Sequence, residues 1–396
     1  MENLLRETII DIEKEAFIQV YNRLPIVVEK AEGVWIWDRD GNKYLDLLGG
    51  IAVNVLGNSH PKITRAIIEQ AQKYLHLSNY FYQDVQINFV KKLTQLTGYS
   101  RAFLTNSGTE SSDGAIKLIR KWGNMNNKTD IIAFSGGFHG RTYGALSIMD
   151  KPNYKQGMGP FLPNCKILPY NSVEDLVANG DLNTAAVFLE FIQGEGGISS
   201  VSQEFVDTLF ELKQHNNFLV VADEVQSGMG RTGKFFSFEH WGVRPDIVIV
   251  SKGLGGGLPL GAILIDEHLA NVWEKSQHGT TFGGNALSCA AGLVSLEEIE
   301  TELMDNAVQV GDYFISELEK VKTKFPDKVR EIRGKGLMLG IVLNFEAKLL
   351  LDELVKRKII VNATSVNVIR IVPPLILNKE HIDLFIAELN DALSGM

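Results

Sequence analysis

Three places in the sequence combine residue types that can do chemistry together. Lys252 leaves the apolar run Asp246–Val250 through Ser251 and enters Gly253-Leu254-Gly255-Gly256-Gly257. Burial disfavours an ammonium, lowers its pKa and makes the amine a nucleophile towards carbonyls. The glycines that follow leave room for something flat beside it. Asp223 ends the run Phe218–Asp223 and opens Asp223-Glu224-Val225-Gln226; a carboxylate there is desolvated and needs a cationic partner. Asn106-Ser107-Gly108-Thr109-Glu110 precedes Ala115, Leu118, Ile119 and Trp122 at helical spacing. A helix N-terminus with two hydroxyls and free backbone N–H groups is a natural seat for a phosphate. Gly136-Gly137-Phe138-His139-Gly140-Arg141 adds an aromatic face, an imidazole and a guanidinium, and Gly279-Thr280-Thr281-Phe282-Gly283-Gly284-Asn285 a glycine-framed pair of hydroxyls.

Singly, each has an ordinary structural reading: an N-cap, an ion pair or metal-binding acid, a snorkelling lysine, a core phenylalanine. Together they are the parts that pyridoxal phosphate requires. The aldehyde needs an amine, and the pyridine nitrogen needs a carboxylate to keep it protonated, since only the pyridinium is a strong electron sink. The ring needs a flat face and the phosphate a helix N-terminus.

The elements that must position these residues alternate along the middle of the chain. Asp130–Phe134, Ala185–Glu190, Phe218–Asp223, Asp246–Val250 and Leu260–Ile265 are continuous apolar runs, as in a parallel sheet covered on both faces. Gln203–His215 places Phe205, Val206, Leu209 and Leu212 on one helical face. The expectation is an α/β fold with a mostly parallel central sheet, and such sheets bind ligands beyond their carboxyl ends. Further on, Arg333–Gly336 reads as a turn between strands, Glu346–Lys358 as a helix, and Val366–Val372 as a strand ended by Pro373-Pro374. Asn378 caps a last helix with Ile382, Phe385, Ile386, Leu389 and Leu393 on one face. The expected division is a large domain over 46–289 and a smaller α+β domain built from 1–45 and 290–396.

Composition narrows the function classes. The 396 residues carry 39 Lys+Arg against 48 Asp+Glu, a net charge of −9 with no basic stripe, which argues against a nucleic-acid partner. Two cysteines, Cys165 and Cys289, cannot make a disulfide framework or a four-ligand zinc site, and no metal is expected. Glu2, Arg6, Glu7, Asp11, Glu13, Lys14 and Glu15 interrupt any leader-like apolar stretch. No uncharged run approaches the ~20 residues of a membrane span, so no membrane association and a cytoplasmic setting are expected. Gly228-Met229-Gly230-Arg231-Thr232-Gly233-Lys234 matches G-x-x-x-x-G-K, but Phe235 stands where a nucleotide-binding loop needs Ser or Thr for magnesium. A non-catalytic scaffold is the other competing class, and the presence of both Lys252 and Asp223 argues against it.

With these motifs in order, the sequence resembles a class III (subgroup II) aminotransferase of the pyridoxal-phosphate fold-type I superfamily, most of all the acetylornithine/succinylornithine branch. The resemblance runs from Tyr21-Asn22-Arg23-Leu24-Pro25 through Gly49-Gly50-Ile51-Ala52-Val53-Asn54 and Asp223–Gly233 to Arg370-Ile371-Val372-Pro373-Pro374-Leu375. It implies that Lys252 forms the Schiff base and that Asp223 partners the pyridine nitrogen. Phe138 and Val225 would sandwich the ring, Gln226 reach its 3-oxygen, and Ser107, Gly108 and Thr109 hold the phosphate. His139 and Glu190 belong to the same implied cofactor-binding set. Thr281 would complete the phosphate site from the other subunit of a homodimer with shared active sites. Arg141, with Thr280 nearby, would take the carboxylate of an acyl-ornithine, Arg370 the α-carboxylate of glutamate, and Glu195 would pair with Arg370 when glutamate is absent. The implied reaction moves the terminal amino group of N2-acetylornithine, or a similar acylated or free ornithine, to 2-oxoglutarate. Ornithine, 4-aminobutyrate and lysine ω-aminotransferases and an aminomutase are the rivals within this reading. The sequence departs from the family pattern at Phe191 (usually proline), at Asn58 (usually histidine) and at Ser111-Ser112-Asp113 (usually Ala-Asn-Glu), which suggests an altered pocket wall.

Overall fold

The computed structural model describes residues 6–396; residues 1–5, the start of the segment expected in the smaller domain, lie outside the described residues. Its central sheet has seven strands in the spatial order Arg101–Thr105, Gly261–Ile265, Ile247–Val250, Leu219–Asp223, Thr184–Leu189, Asp130–Phe134 and Cys165–Leu168. The apolar runs are continuous because the sheet has two covered faces. Ile132, Phe134, Val187, Leu189, Val220, Ala222, Val248 and Val250 point into one core. Their neighbours Ile131, Ala133, Ala186, Phe188, Leu219, Val221, Ile247 and Ile249 point into the other. Period-two alternation thus divides each run between two apolar layers. The helix Gly108–Met125 covers the second layer with Ala115, Ile116, Leu118 and Ile119. Gln203–Asn216, begun by a Ser202 side chain that accepts from Phe205 N, faces the first with Phe205, Val206 and Leu209.

One strand departs from the expectation. Gly261–Ile265 runs antiparallel to both neighbours, pairing Val250 with Ala262 and Thr105 with Gly261. Its beginning, rather than its end, therefore reaches the edge where the other strands finish. That edge gathers the residues following Thr105, Phe134, Leu189, Asp223 and Val250, together with those preceding Gly261.

The C-terminal part is a four-stranded antiparallel sheet, ordered Val329–Lys335, Met338–Leu343, Val368–Ile371 and Asn362–Thr364. It is flanked by the helices Met304–Lys324, Ala347–Lys356 and Lys379–Gly395. The turn expected at Arg333–Gly336 is tighter and later: the first strand runs through Lys335, leaving Gly336 and Leu337 to reverse the chain. The Asn378 side chain accepts from His381 N, as its position before the last helix foretold. Lys43–Asp46 pairs in parallel with Ile359–Ile360, so the early and late parts of the chain share a sheet. Among the described residues no helix is long and apolar enough to cross a membrane, and no cluster of His, Cys, Asp and Glu could hold a metal. Cys165 and Cys289 are both free thiols, the latter buried.

Candidate active site

A cavity of about 430 Å³ opens at that sheet edge, and its wall collects the residues singled out from sequence. Ser107, Gly108, Thr109, Phe138, His139, Arg141, Glu190, Asp223, Val225, Gln226 and Lys252 all line it.

Lys252 follows the fully buried strand Ile247–Val250 with φ +47°, a left-handed conformation that L-residues rarely adopt. A chain continuing in extended form would carry this side chain on past the sheet edge; the turn keeps it at the cavity. Burial lowers its pKa to about 8, helped by the charge of Arg370 and opposed by Glu195, Asp223 and Glu190. An appreciable fraction is then free amine near neutral pH.

Asp223 ends its strand buried at 3 % exposure, with each oxygen engaged. His139 Nδ1 donates to Oδ2 at 2.7 Å and Val225 N donates to Oδ1 at 3.0 Å. His139 is itself fixed from behind, its ring edge-on to Phe188 at 4.8 Å and its carbonyl accepting from Ser112 Oγ at 2.6 Å. This chain of contacts holds a carboxylate at a fixed place on the cavity wall. Glu190 is pinned by Phe138 N at 2.9 Å and Gly194 N at 3.1 Å. Burial raises its pKa, with the nearby Asp223 adding to the effect and His139 opposing it. It braces the Phe138 loop from below.

At the other side, Ser107 caps the helix Gly108–Met125, its Oγ accepting from Glu110 N at 3.3 Å. The N-cap reading and the anion-seat reading are therefore both available to this serine. Thr109 Oγ1 accepts from Arg141 N at 3.1 Å and Thr142 N at 3.2 Å, which ties the loop to the helix start. Gly140, at φ +130°, passes so close that a Cβ there would lie 2.1 Å from Thr109 Oγ1. A Cβ on Gly108 would lie 2.7 Å from Val225 Cγ1.

An amine, a fixed carboxylate, hydroxyls at a helix N-terminus and two apolar faces, Phe138 and Val225, line one cavity. This donor set fits a phosphorylated pyridine aldehyde.

Arg370 and Glu195 do not line the cavity; they stand behind Gln226. Arg370 is 1 % exposed, donates through Nη1 to Glu195 Oε1 and to Gln226 Oε1 (3.0 Å), and through Nε to Asn362 Oδ1 at 3.0 Å. Burial raises the Glu195 carboxyl, but Arg370, Lys252 and Lys151 more than offset this and hold it below the ordinary range. Arg141 is exposed at the rim, its guanidinium 3.6 Å from the centre of the Tyr154 ring and 5.6 Å from that of Phe138.

Thr280 and Thr281 are not brought to this cavity within one chain. Thr280 Oγ1 donates to Glu110 Oε1 at 2.9 Å, and Thr281 lies in a separate groove with His76, Ser78 and Phe282. The altered pocket wall expected from the departures is also absent. Phe191 is buried against Trp241 (5.5 Å) and Phe238 (6.0 Å). Asn58 bonds Asp46 and Asn54, and Asp113 Oδ1 accepts from Ala145 N at 3.1 Å. None of them faces the cavity. The Gly228–Lys234 loop leads into Ser237–Trp241, a single 3₁₀ turn, and not into the long helix a nucleotide loop requires.

Sequence reasoning assigned no site role to Val53, Asn106, Ser251 or Leu258–Leu260 on the wall, nor to Lys151 beside Glu195. Asn106 and Ser251 stood within the motifs already quoted and could have been assigned by adjacency. Leu258–Leu260 needed Gly261–Ile265 to be read as antiparallel.

The class-III aminotransferase family model matches residues 17–393. The chain is 42% identical over 393 residues to the acetylornithine aminotransferase of Methanocaldococcus jannaschii, covering 98% of each. Among solved structures it superposes on the acetylornithine aminotransferase of Elizabethkingia anophelis with a TM-score of 0.89 at 34% identity, covering 99% of both chains. On the ornithine aminotransferase of Toxoplasma gondii the TM-score is 0.95 at 29% identity, covering 100% of this chain and 96% of that one.

Proposed function

Since the chain belongs to the class-III aminotransferases, we propose that it moves the terminal amino group of N2-acetylornithine to 2-oxoglutarate, giving the semialdehyde and glutamate. The cofactor of this family is pyridoxal 5′-phosphate, which when bound supplies the electron sink that lets a proton leave the carbon bearing the amine. The single observation that carries the reading is the convergence of Lys252, Asp223 and Ser107–Thr109 on one cavity.

In this reading Lys252 would hold the cofactor's aldehyde end, and its amine would be the base that moves the proton of the carbon bearing the substrate amine. Asp223, held by His139, would partner the ring nitrogen, and Glu190 braces the loop bearing Phe138. Phe138 and Val225 would hold the ring between their apolar faces and orient the substrate beside it. Gln226 would reach the 3-oxygen, and Ser107, Gly108 and Thr109 would take the phosphate. Arg141 at the rim is placed to receive the carboxylate of the ω-amino donor. Arg370 receives the α-carboxylate of glutamate after Glu195 gives it up; a buried arginine without its acid would cost several kcal/mol, so a movable carboxylate lets one site serve both substrates.

Thr281 reaches the phosphate region from a second subunit, with Thr280 near the Arg141 that takes the donor carboxylate. The position of Thr281 away from its own chain's cavity supports a homodimer, as do the nearby exposed Tyr80, Tyr82 and Phe282. We divide the chain into 46–289 as the cofactor-binding domain and 1–45 with 290–396 as the smaller one, and place the enzyme in the cytoplasm. Free ornithine as donor is the second reading, favoured by the superposition on an ornithine aminotransferase. The test is a panel of N2-acetylornithine, succinylornithine, ornithine, lysine and 4-aminobutyrate with 2-oxoglutarate, read by kcat/KM. Acetylornithine leading the panel supports the proposal; ornithine or 4-aminobutyrate leading it overturns the substrate assignment.

A further inference from the structure

Glu195 has a second basic neighbour that no motif foretold. Lys151 precedes the single helical turn Pro152–Lys155, and its Nζ donates to the Glu195 main-chain oxygen at 3.2 Å. It is half-buried, 5.8 Å from the centre of the Tyr154 ring. The charges facing it are Glu195, Glu190 and Asp150, with Arg370 as the opposing cation. An ammonium in such a place is disfavoured by burial, and these carboxylates offset part of that cost.

We infer that Lys151 is a positioning residue that receives the Glu195 carboxylate when the α-carboxylate of glutamate or 2-oxoglutarate occupies Arg370. The inference rests on the exchange between Glu195 and Arg370 described above. Three cations act on Glu195: Arg370, Lys252 and Lys151. When glutamate binds, Arg370 is taken by the incoming carboxylate. Lys252 is committed to the cofactor and the reacting carbon. Lys151 alone of the three stays free to neutralise a displaced Glu195. Its bond to the Glu195 carbonyl keeps the ammonium at the base of that side chain, within reach of a carboxylate that turns away from Arg370. Thr364, which donates to the same carbonyl at 2.9 Å, fixes the backbone there so that only the side chain need move.

The half-reaction with glutamate should therefore depend on Lys151, and the half-reaction with the ω-amino donor, in which Glu195 stays on Arg370, should not. Lys151→Met in the cofactor-loaded enzyme is expected to raise KM for glutamate, and the Kd of the unreactive dicarboxylate glutarate, by about tenfold, the size of one lost charge contact at partial burial. KM and kcat for the ω-amino donor should change by less than about twofold, since Glu195 stays paired with Arg370 there and Thr364 still holds its carbonyl when the Lys151 contact is lost. Lys151→Arg should restore most of the loss. Equal effects on both half-reactions, or none on either, would overturn the inference. Glu195→Ala separates the two levels: if it shifts selectivity while Lys151→Met does not, the inference alone fails. If neither variant shifts it, the exchange itself is wrong and the inference falls with it.

Discussion

Removing the Glu195 carboxylate tests the exchange at Arg370 directly. Arg370 is 1 % exposed, and its remaining partners, Gln226 Oε1 and Asn362 Oδ1, are both neutral. Deleting one member of a fully buried ion pair costs about 3–5 kcal/mol, and the Glu195 side chain is 23% exposed, so about 2 kcal/mol is the expectation for Glu195→Ala. The same free energy no longer opposes glutamate, whose α-carboxylate now meets an unpaired arginine. At 1.36 kcal/mol per decade, 2 kcal/mol amounts to about a 30-fold change in the ratio of kcat/KM for glutamate over the ω-amino donor. The assay is single-turnover conversion of the loaded enzyme with each donor, alongside thermal unfolding with and without glutarate. The variant should unfold earlier, and glutarate should restore more stability to it than to the parent. The sign with pH follows from a lowered carboxyl pKa: the contribution of Glu195 is present above its unfolded-state value, near 4.5, and fades as pH falls through the lower folded value. An unchanged selectivity ratio would refute the reasoning, whatever happened to stability.

Other consequences are simpler to check. Gly140→Ala places a Cβ 2.1 Å from Thr109 Oγ1 at φ +130°, so cofactor affinity measured by spectral titration should fall at least about tenfold with the fold retained by circular dichroism. An unchanged affinity would remove Thr109 from the phosphate seat. Phe191→Ala should lower unfolding free energy by about 3 kcal/mol without altering donor preference, because Phe191 packs on Trp241 and Phe238 away from the cavity. A changed preference would put the 191 position back into the substrate wall. With its pKa lowered to about 8, Lys252 should make cofactor uptake by the apoprotein quicken as pH rises and level off above about 8; a flat profile from pH 6 to 9 would count against a buried amine.

Much of this site could be read before any coordinates because its parts are local in sequence. Lys252 follows and Asp223 ends a strand whose apolar run is continuous, a strand end recognisable from the run alone, and Ser107–Thr109 open a helix whose apolar spacing is legible. Val225 and Gln226 came with Asp223, two and three residues along. Strand direction was not legible in the same way. Gly261–Ile265 is apolar on both faces like its parallel neighbours, and periodicity carries no sign of which way a strand points. The environment of Arg370 was equally hidden. Its partners Glu195 and Gln226 lie in two separate turns and Asn362 in the strand Asn362–Thr364, and only tertiary packing brings them together. Lys151 has no local signature at all, lying in an Asp-Lys-Pro turn whose meaning is its distance to residue 195. The departures at Phe191 and Asp113 misled for the same reason: proximity in sequence to Glu190 and to Ser107–Thr109 does not put a side chain on the cavity.

The central claim is that the Lys252 amine is the one the cofactor joins. Reduction of the loaded enzyme with borohydride, followed by proteolysis and peptide mass spectrometry, reads this at a single residue. The account predicts the mass of the reduced cofactor on the peptide containing Lys252, with none on that containing Lys151. Label on any other lysine, or none on Lys252 in protein that still transaminates, would contradict it.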